Sequence, residues 1–197
     1  MPFLSAKSLR FLTLLGLWVC LAWPSGLHAE TARDVLVLHS YHPGLTWTDG
    51  MMRGIKEQLK KSPVPVRLHV EYMDTKRNPG IEYLKRYEQL LRYKIRNLHF
   101  DLVLATDNDA YNLARQQQND LFAGCPIVFC GVNDFQAGEI TAEENITGVA
   151  EDLSVEETLD VALKLHPNTC ELILIGSRLG ATDLAINQDI ERSLRRY

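Results

Sequence analysis

Cysteine is sparse and irregularly spaced in this chain, at positions 20, 125, 130 and 170 only. No Cys-x-x-Cys pair occurs, and setting aside Cys20 leaves an odd three, which excludes a disulfide framework and a cysteine zinc site. Cys125 and Cys130 bracket a strand-like run, and five extended residues hold their Cα atoms roughly 16 Å apart, too far for a bridge. Burial as small apolar residues is the expectation for them. Catalytic fingerprints are missing too: there is no Gly-x-Ser-x-Gly elbow, no Walker loop and no Gly-x-Gly-x-x-Gly turn. There is no internal repeat or low-complexity tract, and 46% hydrophobic with 23% charged residues is the composition of an ordinary globular protein.

A long apolar run is also absent. The longest uncharged hydrophobic stretch, Phe11 to Trp23, is too short to span a bilayer core comfortably as a helix. It follows Lys7 and Arg10, is broken by Pro24-Ser25-Gly26, and leads to Leu27-His28-Ala29 before Glu30. Residues 1–29 therefore read as a cleaved secretory signal rather than an uncleaved anchor or a buried helix. Val19 before Cys20 rules out a lipoprotein reading. Without Lys7 and Arg10, nineteen basic residues face twenty-five acidic ones, a net charge of −6. That balance argues against nucleic acid or an anionic membrane as partner.

What is present is an alternation of short aliphatic runs with helical stretches. The runs are Val35–Leu38, Leu102–Ala105, Ile127–Cys130 and Leu172–Ile175. Their lack of polar alternation predicts strands covered on both faces of a parallel sheet. Val66 to Tyr72 alternates strictly, which suits an edge strand. Helices are expected after Thr46–Asp49, from Asn78-Pro79 with a stripe of Ile81, Leu84, Leu91, Ile95 and Leu98, and over Ala110–Gln118. Two more are expected, one from Ser154 with a capping box to Glu157 and one over Thr182–Arg196. Residues 134–152 read as a crossover. The order predicts a three-layer αβα fold with right-handed crossovers.

In such sheets ligands bind beyond the carboxyl ends of the strands, so polar and aromatic residues gathered there are informative. Ser40, Tyr41, His42 and Trp47 follow the first run, Thr106-Asp107-Asn108-Asp109 the second, and Gly131-Val132-Asn133-Asp134 the third. Hydroxyl, amide and carboxylate groups beside aromatic rings suit a small polar solute with an apolar or ring portion. Each residue alone is equally explained as a helix cap or turn former. His39 and His42 lack a third close ligand, so no metal site is expected. Asp107 after the third strand invites comparison with a phosphoacceptor, but that chemistry needs an acidic pair after the first strand to hold Mg²⁺, where this chain has His39-Ser40-Tyr41-His42.

The segments VLVLHSYHPGLTWTDGMMRGI, DLVLATDNDAYNLA, PIVFCGVNDF and NITGVAEDLSVEETLDVALKLHP resemble, in order, the ABC-transporter substrate-binding-like family. Variants of that family serve as extracytoplasmic sensor regions of bacterial histidine kinases and diguanylate cyclases. The resemblance covers nearly all of residues 34–180. It implies the type I periplasmic binding fold, with two α/β lobes, a first lobe over 33–148, and 149–197 as a hinge and the start of an incomplete second lobe, so that the chain reads as a fragment. It further implies a periplasmic module without catalysis or cofactor, taking a small polar or aromatic organic solute through Ser40, Tyr41, Trp47, Thr106, Asp107 and Asn133. An ABC permease, or a fused or partner signalling kinase or cyclase, would be its macromolecular partner. The competing class is an α/β enzyme acting at the same strand ends, which requires a cleft carboxylate or histidine of shifted pKa.

Overall fold

The first aliphatic run becomes β1 (Arg33–His39), and every residue from Val35 to Tyr41 is buried. The computed structural model describes residues 31–197 except 137, 139, 142 and 143, so the secretory-signal segment lies outside the described residues. β1 pairs in parallel on one side with β2 (Val66–Tyr72) and on the other with β3 (Leu102–Thr106), which pairs with β4 (Ile127–Asn133) and that with β5 (Ile146–Glu151). The order is β2-β1-β3-β4-β5, with β2 on the expected edge. The chain leaves β1 towards β2 and returns to the opposite side for β3. The strand order therefore reverses between β1 and β3, which opens a crevice at their carboxyl ends.

Side-chain alternation along β1 decides which helix covers which face. Leu36 and Leu38 join Val103, Ala105, Ile127 and Phe129 in a core closed by Tyr87, Leu91 and Ile95 of α2 (Ile81–Ile95) and by Ala110, Leu113 and Ala114 of α3 (Asp107–Gln116). Val35, Val37 and His39 point to the other face, where α1 (Thr46–Leu59) brings Met52 to His39. Helices thus cover both faces of an all-parallel sheet, a three-layer α/β fold. α4 (Val155–Leu165) and α5 (Ala181–Ser193) follow β5, with a 3₁₀ turn at Leu194–Arg196.

Several local expectations are corrected. Leu172–Ile175 forms no strand, and its side chains stand open, Ile175 at 92%. No described strand lies beside it, and a strand without a neighbour leaves its N–H and C=O groups unpaired. The stripe of α2 is Tyr87, Leu91 and Ile95, while Ile81 and Leu98 are exposed and Pro79 precedes the helix, whose N-cap is Gly80. α3 starts at Asp107, directly off the strand, rather than at Ala110. Ser154 makes no side-chain capping bond; its backbone is left-handed, with φ 48° in place of the extended conformation of a capping serine, and its N–H donates to Asp152 Oδ1 at 2.9 Å. The crossover 134–152 contains β5. Of the three cysteines only Cys125 is fully buried; Cys130 is half-buried and Cys170 exposed, all with free thiols. No helix of the described residues is long and apolar enough to cross a membrane.

The β4–β5 ladder has one irregularity. Cys130 faces Val149 and Val132 faces Ala150, so Gly131 is an extra residue, a β-bulge with φ +69°. Such a bulge re-aims the residues after it, which here include Asn133. Gly148 faces Phe129 across the same ladder, and an added Cβ would come 2.3 Å from the Phe129 carbonyl oxygen. We expect Gly148→Ala to lower stability by about 2–3 kcal/mol in urea denaturation, as overpacking does. Gly54, in the exposed middle of α1 with nothing near its Cβ position, is the control. Gly54→Ala should raise stability by about 1 kcal/mol. Equal effects of the two changes would contradict the register of β4 and β5.

Candidate functional site

At the β1–β3 switch the strand-end side chains divide into a lower set that locks the sheet and an upper set left for other work. His39 belongs to the lower set. Its ring stacks on Tyr72 with centroids 5.0 Å apart, Nδ1 lies 2.9 Å from Thr106 Oγ1 and Nε2 lies 3.4 Å from Met52 Sδ. Burial, only partly opposed by the charge of Asp49, pushes its pKa down to about 4, so the imidazole is neutral at pH 7. Ser40 is in the same layer. Its hydroxyl donates to the Thr106 carbonyl at 2.7 Å and accepts the Ala110 N–H at 2.8 Å, satisfying one of the free donors at the start of α3. Ser40 and Thr106 are therefore fully buried and engaged inside the fold.

The upper set comprises Tyr41, Trp47, Asp107 and Asn133. The Tyr41 hydroxyl donates to Thr182 Oγ1 at 2.8 Å, and Lys76 Nζ lies 5.1 Å from its ring centroid. Burial pushes the phenol well above its ordinary range, and the nearby charges of Asp107, Asp109 and Asp183 add to the shift. Trp47, 46% exposed, donates its indole N–H to Asp107 Oδ1 at 2.8 Å. Asp107 itself is only 2% exposed and holds a φ of 66°, rare for a residue with a side chain. Its Oδ2 is buried without a partner. Desolvation raises its pKa to about 7 against the pull of the Trp47 bond and of the neighbouring Thr106 side chain, with Glu151 adding to the rise and Lys76 opposing it.

Asn133 reaches the site because Asn108 clips the end of β4. Asn108 Nδ2 donates to the Asn133 carbonyl at 2.9 Å and its Oδ1 accepts the Asn133 N–H at 3.1 Å. The Asn133 side chain then donates through Nδ2 to Glu151 Oε2 at 3.0 Å, leaving its Oδ1 buried and unpaired. Gly131 is what lets these groups meet. A Cβ there would lie 3.2 Å from Asp107 Oδ1 and 3.4 Å from Trp47 Cζ2.

Beside this cluster lies a pocket of about 240 Å³, lined by Tyr41, Thr75, Lys76, Asp109, Thr182 and Asp183 among others. Its far wall is the start of α5, tied to the sheet by Tyr41–Thr182 and by the Lys76–Asp183 ion pair at 3.0 Å. Sequence reading did not include Thr75, Lys76, Glu151, Thr182 or Asp183. The first two follow an edge strand and could have been found by the strand-end rule; Thr182 and Asp183 follow no observed strand and carry no such signal. Asp134, the last of the third strand-end group, is gripped by Arg192 at 2.7 and 3.1 Å, which holds its carboxyl below the usual range. His42 lies 3.2 Å from Asp74, away from His39's partners.

No family model matches the chain, and no curated protein matches it. Among solved structures, a conserved domain protein from Vibrio cholerae is similar, with a TM-score of 0.60, 16% identity, and coverage of 84% of this chain and 54% of that one. The chain thus spans about half the length of that protein, and the likeness is one of fold.

The pH dependence of the Asp107 carboxyl follows from its raised pKa. A carboxyl near 3.9 in the unfolded chain and about 7 in the fold stabilises the protein fully below pH 4 and loses that contribution as pH rises through 7. The ionised form at pH 8 then costs up to about 4 kcal/mol, at 1.36 kcal/mol per unit. Asp107→Asn keeps the shape, tolerates the left-handed backbone and still accepts from Trp47. It should raise the thermal midpoint at pH 8 much more than at pH 4.5. Parallel stability curves for the two proteins across that range would remove the buried acid from the account.

Proposed function

We propose that the chain is an extracytoplasmic small-solute-binding module that performs no chemistry, exported by its first 29 residues and working in the periplasm. It belongs, on this reading, with the ABC-transporter substrate-binding-like proteins or their sensor-region variants. It serves an ABC permease, or a signalling kinase or cyclase. The observation that carries the reading is the convergence of Tyr41, Trp47, Asp107 and Asn133 at the one place where strand order reverses, with a tryptophan face left open. An exposed aromatic ring beside buried, unpaired polar atoms is costly for a surface that binds nothing. Residues 149–197 are taken as a hinge and the start of a second lobe. The uncovered run Leu172–Ile175 is what that expects of a strand whose partners are not among these residues.

One observation favours the enzyme class: Asp107, with its raised pKa, is the kind of carboxylate a general base requires. Among the described residues, however, its side-chain donor at Oδ1 is an indole, and no serine, cysteine or histidine pairs with it as nucleophile or relay. Desolvation is sufficient cause for the shift, and binding remains the better account.

A thermal-shift screen of small solutes on the chain tests the proposal, because a ligand that binds only the folded form raises its midpoint. Isothermal titration of any solute so found should show at least a tenfold loss of affinity in Trp47→Ala, about 1.4 kcal/mol or more. Undiminished affinity would take Trp47 out of the site, and steady turnover of the solute would favour the enzyme class.

A further inference from the structure

We infer that the polar cluster at the ends of β3, β4 and β5, formed by Asp107 Oδ2, Asn133 Oδ1 and the Glu151 carboxylate beside the half-exposed Trp47, takes a cationic amine group of the ligand, a primary ammonium or an amidinium. The inference rests on the solute-binding reading and specifies the chemistry at one end of the solute.

Hydrogen-bonding capacity is the first argument. Asp107 and Asn133 are 2% and 3% exposed, and each leaves one oxygen without a partner. A buried acceptor without a donor forfeits about 1–3 kcal/mol, more if charged, so unpaired pairs in a folded protein call for a specific cause. The unpaired end of Asn133 is its carbonyl oxygen rather than its amide nitrogen, because the other end faces Glu151 Oε2 at 3.0 Å and the Gly131 carbonyl at 3.5 Å, both acceptors. Both open valences therefore call for N–H or O–H donors from outside.

Charge is the second argument. Asp107 and Glu151 sense each other's charge, and among the described residues neither forms an ion pair. Lys76, the one cation that acts on Asp107 at a distance, is already held by Asp183. An anionic group brought here would meet the Glu151 carboxylate and, above about pH 7, the Asp107 carboxylate as well, and a neutral donor would leave that charge uncompensated. A cation supplies both the donors and the charge, and charge-assisted bonds of this kind are the stronger ones. The backbone accommodates the cluster: Asp107 sits at φ 66°, and Gly131 at φ +69° carries no Cβ to press on the carboxylate and the Trp47 ring. The indole bond occupies Oδ1 and leaves Oδ2 as the open oxygen, and the half-exposed ring can border the rest of the solute.

The test uses three ligands that share one ring and differ at the end of the chain: 2-phenylethylamine, 2-phenylethanol and 3-phenylpropionate, with methylammonium as a ring-free cation. Thermal midpoint and tryptophan fluorescence are followed in the wild-type chain and in Asp107→Asn, whose fold is checked by circular dichroism. The amine should raise the midpoint, bind at least tenfold more weakly to Asp107→Asn, and move the fluorescence pH transition of the wild-type chain downward. Equal or tighter binding of the alcohol or the propionate, or undiminished amine binding by Asp107→Asn, overturns the assignment. If no amine binds, the assignment falls, and the other arms decide the rest: binding of the alcohol or propionate keeps the solute-binding reading, whereas silence in every arm counts against both.

Discussion

Everything at the carboxyl-end polar cluster of this sheet depends on how the end of β1 is pinned to the end of β3. The ladder sets His39 opposite Thr106, and the chain then adds three further ties: the imidazole to the threonine hydroxyl, the Ser40 hydroxyl to the Thr106 carbonyl, and the Ser40 oxygen to the Ala110 N–H. Two neighbouring strands whose outgoing helices lie on opposite faces of the sheet are held together at the point where those connections diverge. Because α3 begins on the very next residue, the same ties fix where Asp107 stands. A carboxylate forced into a left-handed conformation and stripped of water persists only where its surroundings over-determine it. Here the surroundings are a neutral histidine, a saturated serine and a clipped strand end.

A consequence is that the polar residues at the strand ends are of two kinds, which elementary chemistry separates. Ser40 and Thr106 have their capacity filled from within, and their burial costs little because every group is paired. Asp107 and Asn133 are equally buried but half filled. The fold places the second pair directly beside the first, so that rigidity from the satisfied layer is transmitted to the unsatisfied one. Pre-organised polar groups of this sort bind with less ordering cost than groups on mobile loops.

Much of this was legible in the amino-acid pattern and some was not, for identifiable reasons. The unbroken aliphatic runs located β1, β3 and β4, and strict alternation placed β2 at an edge. The same rule failed at Leu172–Ile175, since an aliphatic run records only the wish to be covered, and pairing depends on neighbours the run does not encode. The strand-end rule collected Tyr41, Trp47, Asp107 and Asn133, yet could not tell them from Ser40 and Thr106, because hydroxyls serve backbone and ligand alike. Glu151 was passed over because it ends a strand whose residues looked like a crossover. Thr182 and Asp183 belong to a helix that reaches the site through tertiary packing, which no local spacing announces.

The placement of α5 gives the site its second boundary. Tyr41 and Lys76 hold its first turn through Thr182 and Asp183, while Arg192 on its last turn is held by Asp134 at the end of β4. The helix is therefore anchored at both ends to the strand-end loops. Two of these three ties are ion pairs with half-exposed basic partners, and such pairs are individually worth little. Tyr41–Thr182, buried on both sides, is the firmer contact, but it too joins single side chains rather than packed layers. The helix also packs against α3 and β4, with Thr182, Ala185 and Asn187 buried, so the far wall of the pocket is held by packing as well as by these side-chain ties.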